Sequence, residues 1–132
     1  MPTQAATNNR MAEAVGSPVM AALISFFVGT IALIVYALAA GGNIASIASA
    51  RNAPPVAWVG GLLGAFFVTA TVALLPRLGV AMTFSVIIAG QMLVTLIIDH
   101  FGLLGVPVKE MSFARIAGML LITAGVVLIR KF

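Results

Sequence analysis

The sequence predicts an all-α protein, an integral membrane helical bundle with four transmembrane helices. Three observations carry that expectation. Of 132 residues, 62% are hydrophobic and only 8% are charged, with a mean hydropathy of +1.20. A soluble domain of this size needs far more charge to cover its surface. The apolar residues fall into four runs, each near the roughly 20 residues needed to cross about 30 Å of hydrocarbon. The runs are continuous rather than alternating, and too long for barrel strands, so they read as helices. The length suits one small bundle, so 1–132 is read as a single transmembrane domain.

Taken in order, MPTQAATNNRMAEAV reads by composition as a polar tail. The first span is expected over 19–40. Ser17 can cap it, Pro18 suits its first turn, and Gly41–Gly42 ends it. The second is expected over 56–75, between Pro54–Pro55 and Pro76, with Trp58 near its start where an indole favours the interface. The third is expected over 79–98. The fourth is expected over 113–129, with Ser112 as cap and Arg130–Lys131 as closing anchor. The connection at 76–78 is so tight that spans two and three should be antiparallel neighbours. The connections at 41–55 and 99–112 read as loops, and no internal repeat stands out.

The net charge is +4 and the pI about 10.9. The basic residues lie singly or in one pair between apolar runs, the pattern of interfacial anchors rather than of a nucleic-acid patch. The lipid bilayer is therefore an expected partner and nucleic acid is not. Arg10, Arg77, Arg130 and Lys131 would fall on one side of the membrane and Arg51, Lys109 and Arg115 on the other. Such a small bias admits a single orientation with cytoplasmic termini, or two copies inserted in opposite senses. There is no cysteine, which removes disulfides and thiolate chemistry. No secretory signal peptide is read at the N-terminus.

Small residues let membrane helices approach one another. Ala21, Ser25 and Gly29 form an i+4 row on the first span. Gly60 and Gly64 make a GxxxG pattern with Gly61 beside them on the second. Gly118 and Gly125 lie near Ala114 on one face of the fourth. Gly29, Gly60, Gly61, Gly64, Gly118 and Gly125 are thus read as helix-packing positions. On the third span Thr83, Ile87, Gln91, Thr95 and Asp99 form another i+4 row. An unpaired amide in hydrocarbon is costly, so Gln91 is expected to find partners inside the bundle, as interhelical glue or as part of a polar path. Asp99 and His100 close that span. Imidazole is the side chain whose charge changes near neutrality, so the pair is a candidate for gating or proton linkage. Two such residues offer too few ligands for a metal. No Ser–His–Asp pattern, phosphate-binding loop or zinc-protease helix is present, so neither an enzyme nor a cofactor is expected.

The segments GSPVMAALISFFVGTIAL (16–33), GGLLGAFFVTATVALLPRLGVA (60–81), IIAGQMLVTLIIDHFGLLG (87–105) and RIAGMLLITAGVVLI (115–129) resemble the YdcZ-type bacterial inner-membrane proteins of the drug/metabolite transporter superfamily. The resemblance covers nearly the whole chain. It also revises the reading of the first residues. A Pro-x-Gln-x-x-x-Asn motif lies towards the end of an additional first helix in that family, and Pro2, Gln4 and Asn8 match it. Gln4 and Asn8 would share one helical face. The fold implied is four transmembrane helices plus an N-terminal partial helix over 1–16, truncated from a five-helix pattern. Either this member has lost half a helix, or its start is an internal methionine.

The family is similar to small multidrug-resistance transporters, which implies a homodimer, or a heterodimer with a paralogous chain, and a substrate path between subunits. Those exporters rely on a carboxylate in mid-membrane. Here the acids are Glu13, Asp99 and Glu110, none at mid-span. A neutral path through Gln91, Gln4 and Asn8, with Thr95 and Ser25 alongside, suits uncharged or zwitterionic cargo. The expected function is an inner-membrane exporter subunit working by alternating access. The alternative is a non-transporting scaffold or regulatory membrane subunit, for which Gln91 would be replaceable by Leu.

Overall fold

The computed structural model describes residues 1–131. Among the described residues there are four α-helices: α1 (Pro2–Val15), α2 (Pro18–Ala39), α3 (Pro55–Phe101) and α4 (Phe113–Lys131). With no strand among the described residues, the chain is an all-α membrane helical bundle. Three of the helices, α2, α3 and α4, are long and apolar enough to cross a membrane. By contacts the chain divides into two units, Met1–Arg77 and the remainder from Leu78.

In the first unit, α1 and α2 pack as a helical hairpin. The turn is short because its residues serve both helices. Gly16 ends α1 in the left-handed conformation, the Ser17 hydroxyl accepts a hydrogen bond from the Met20 amide at 3.4 Å, and Pro18 opens α2. Buried residues on these two helices are small: Ala5 and Asn8 on α1, Ala21 and Ala22 on α2. Small side chains are what allow two helices to close on each other where lipid supplies no hydrophobic drive.

After Gly42 the chain forms a 3-10 helix, Ile44–Asn52, in what the sequence suggested was loop. Its signal is a repeat that sequence reading passed over. IAS-IAS runs from Ile44 to Ser49 with a period of three residues, the period at which side chains eclipse on a 3-10 helix. Asn43 starts it by accepting from the Ala45 amide at 3.0 Å.

Helix α3 departs from the expected break before Pro76. It stays helical through Pro76 and Leu78, and turns only at Gly79 (φ 73, ψ 168). A proline removes one hydrogen bond and bends a helix, but leaves φ negative. The Gly79 conformation lies in a region essentially closed to residues with a Cβ, so the break falls at the nearby residue able to adopt it. The arms on either side, 55–78 and 80–101, are about 36 and 33 Å long, each enough for the hydrocarbon core.

In the second unit, α3 ends at Gly102 (φ 60), and a short 3-10 turn, Leu103–Gly105, follows. The loop folds back on the helix end. The Lys109 amide donates to the Asp99 carbonyl at 2.8 Å, and the Met111 amide to His100 Nδ1 at 3.4 Å. A Cβ on Gly102 would lie 2.6 Å from a Val108 methyl, so the fold-back requires a glycine there.

Candidate functional sites

Two cavities carry the polar residues of interest, one in each unit. In the first unit a cavity of about 240 Å³ is lined by Gln4 of α1 and by Ser25, Phe26, Gly29, Thr30 and Leu33 of α2. Ser25, Gly29 and Leu33 continue the i+4 row that begins at the buried Ala21. As small residues give way to space along that row, the two helices leave an opening. The Thr30 hydroxyl donates to the Phe26 carbonyl at 2.8 Å, as membrane-helix threonines commonly do. The Gln4 amide and the Ser25 hydroxyl make no hydrogen bond among the described residues, so both are available to a ligand. Asn8, one turn from Gln4, is buried with its Nδ2 unpartnered.

In the second unit a cavity of about 280 Å³ lies between α3 and α4. Met92, Thr95, Leu96 and Asp99 form one wall. Arg115, Gly118, Met119 and Ile122 form the other. Its surface is apolar except at one end, where Arg115 Nη1 donates to Asp99 Oδ2 at 3.2 Å. The same nitrogen donates to the Lys109 carbonyl at 3.5 Å. Sequence reading paired Asp99 with His100 and took Arg115 for an anchor. The structure pairs Asp99 with Arg115 instead, while His100 accepts from Met111 and meets Phe101 edge to face at 4.9 Å. The legible signal was that Asp99 and Arg115 stand at the facing ends of two consecutive spans.

The remaining predicted residues lie elsewhere. Gln91 is exposed on α3, lines neither cavity, and its side chain has no partner among the described residues. The partner expected for it inside the bundle is not supplied by the described residues of this one chain. Its turn of α3 has too little of the chain around it to supply a partner. Thr95 does line the second cavity, but its hydroxyl donates to the Gln91 carbonyl at 2.8 Å. At the top of the same row Thr83 is fully buried with its hydroxyl unpartnered. Of the glycines, Gly64 is close to another helix, since a Cβ there would lie 3.7 Å from the Phe26 ring. A Cβ on Gly29, Gly60, Gly61, Gly118 or Gly125 would meet nothing within 4 Å among the described residues.

No solved structure matches the chain. Over 71 residues it is 37% identical to "Inner membrane protein YdcZ" of Escherichia coli (strain K12), a match taking in 54% of this chain and 47% of that protein. The matched segment thus spans about half of the relative's length. The family described as "Putative inner membrane exporter, YdcZ" matches residues 1–128. With apolar helices long enough to cross a bilayer and that match over almost its whole length, this multi-pass inner-membrane chain belongs to the YdcZ family.

Proposed function

We propose that the protein is a transporter subunit that exports small uncharged or zwitterionic molecules, working as a dimer by alternating access. One observation carries the reading. Gln4 and Ser25, from two different helices, line one cavity with hydrogen-bonding groups left unspent. Polar groups inside a membrane bundle are costly and are commonly held for a substrate path. An amide and a hydroxyl both donate and accept, but neither balances a full charge, so they favour neutral hydrogen-bonding cargo. The family's description as an inner-membrane exporter supports the transport reading.

The dimer is supported by what one chain leaves uncovered. In the most apolar stretch of each candidate span, 11%, 6% and 0% of residues are buried. Gln91 lies about 12 Å along the helix from Asp99, within the hydrocarbon if Asp99 marks its edge. A polar group there without a partner costs several kcal/mol in lipid. A second copy, or a paralogous chain, would supply one.

The test is thermal stability of the purified protein in detergent across a panel of sugars, nucleosides and neutral amides. A ligand that prefers the folded state raises its melting temperature. The expected outcome is a compound that stabilises wild type but neither Gln4→Leu nor Ser25→Val. If no compound does so, or if both variants respond like wild type, the chain is better read as a non-transporting membrane subunit.

A further inference from the structure

The cavity of the second unit is a second binding site, separate from the Gln4–Ser25 cavity, and we propose that it takes a small amphipathic zwitterion. The class we assign is a free amino acid with an aliphatic side chain. The inference goes beyond the transport reading, because binding at this site can be measured without flux.

Charge is the first support. The Asp99–Arg115 pair is a single contact rather than a two-pronged one. Arg115 Nη1 is spent on Asp99 and on the Lys109 carbonyl, leaving the Nε and Nη2 hydrogens. Asp99 leaves Oδ1 without a partner among the described residues. Both side chains are partly buried, at 32% exposure for Arg115 and 25% for Asp99. A ligand with one charge would join one member and leave a surplus charge in this half-buried setting, which is unfavourable. A ligand with both charges answers both. Its ammonium reaches Asp99 Oδ1, its carboxylate reaches the free guanidinium edge, and the protein's own pair stays intact.

Shape is the second support. From Asp99 to Met92 and from Arg115 to Ile122 the walls descend equally, by about 10 Å on each helix. The charged pair therefore caps an apolar slot lined by Met92, Leu96, Met119 and Ile122. At about 280 Å³ the slot is just below the roughly 300–1,000 Å³ of sites that take drug-sized ligands. It suits a short aliphatic side chain and is too small for the paired chains of a phospholipid. A phosphatidylethanolamine headgroup carries the same two charges, so the experiment separates the two sources.

The probe is L-leucine, titrated into the purified full chain in detergent while melting temperature is followed. Leucine is expected to raise it in wild type. Isopentylamine and 4-methylpentanoate, which keep the tail but one charge each, should bind at least about tenfold more weakly. Asp99→Asn and Arg115→Gln should each lose the response. Should either fail to fold, Gly118→Leu tests the site without touching the pair. A Cβ at Gly118 meets nothing within 4 Å, so a side chain there can enter the slot. That variant should melt no lower than wild type and no longer respond to leucine. In nanodiscs, phosphatidylethanolamine should stabilise the protein no more than phosphatidylglycerol. The proposal is overturned by no response to leucine, by equal responses to the singly charged analogues, or by an undiminished response in Gly118→Leu. Stabilisation by phosphatidylethanolamine but not by leucine overturns the free amino acid as occupant. A leucine response lost in Gln4→Leu but kept in Asp99→Asn, Arg115→Gln and Gly118→Leu would put leucine in the other cavity and overturn the proposal, whereas a neutral-panel compound that fails at Gln4 bears on the transport reading alone.

Discussion

At the scale of single residues, the informative atoms are polar ones without partners. Asn8 is 8% exposed and its Nδ2 donates to nothing among the described residues. A buried donor left in this state costs about 1–3 kcal/mol. Asn8→Leu is accordingly expected to melt at or above the wild-type temperature in detergent. Melting several degrees lower would mean that the amide has a partner in the folded protein, such as a second chain. Asn8 was legible in the sequence because the Pro2, Gln4 and Asn8 motif singled it out. The ion pair was legible only as two charges at the facing ends of consecutive spans, since the loop between them folds back through Gly102 and the sequence alone does not show that return path. Gln91 was legible as a polar anomaly, and among the described residues of one copy its side chain has no partner.

At the scale of elements, the apolar runs disclosed the helices but misplaced one boundary. Hydrophobicity does not report where a helix turns. The turn depends on backbone conformation, which the glycine three residues after the proline can adopt and the proline cannot. Gly79 and Gly60 therefore form a contrasting pair. Gly79→Ala places a Cβ in a glycine-only conformation and is expected to destabilise the protein by about 1–3 kcal/mol. Gly60→Ala lies within a regular helix with open space around the new methyl, and is expected to stabilise the isolated chain by about 0.5–1 kcal/mol. Denaturant or thermal unfolding of the two variants in one detergent decides this; equal effects would count against the broken helix. The 3-10 helix at 44–52 teaches the converse lesson. Its three-residue repeat stood in the sequence, but so short a period marks neither a membrane span nor a repeated domain.

At the scale of the whole molecule, most of the apolar surface faces outward. Large side chains such as Phe27, Leu33, Leu62, Phe66 and Leu121 are between 66% and 74% exposed. Much of that surface belongs against lipid, but the lone amide of Gln91 does not. Single-molecule photobleaching in liposomes is expected to find two copies per assembly. Gln91→Leu should weaken that association by about 1–2 kcal/mol, the scale of an interhelical hydrogen bond in a membrane, which is roughly 5- to 30-fold in the dissociation constant. A monomeric wild type, or an unchanged variant, would remove the support that Gln91 gives to the dimer.

The broken helix also has a genetic consequence. Every amino-acid change reachable by one base substitution in a glycine codon introduces a side chain with a Cβ. The conformation at Gly79 admits none of them without strain. Neighbouring positions that face lipid can drift among apolar residues, but this codon has only silent steps open to it. In a library of random single-base variants selected for folded protein in the membrane, Gly79 should therefore stand out as a depleted position within a tolerant stretch.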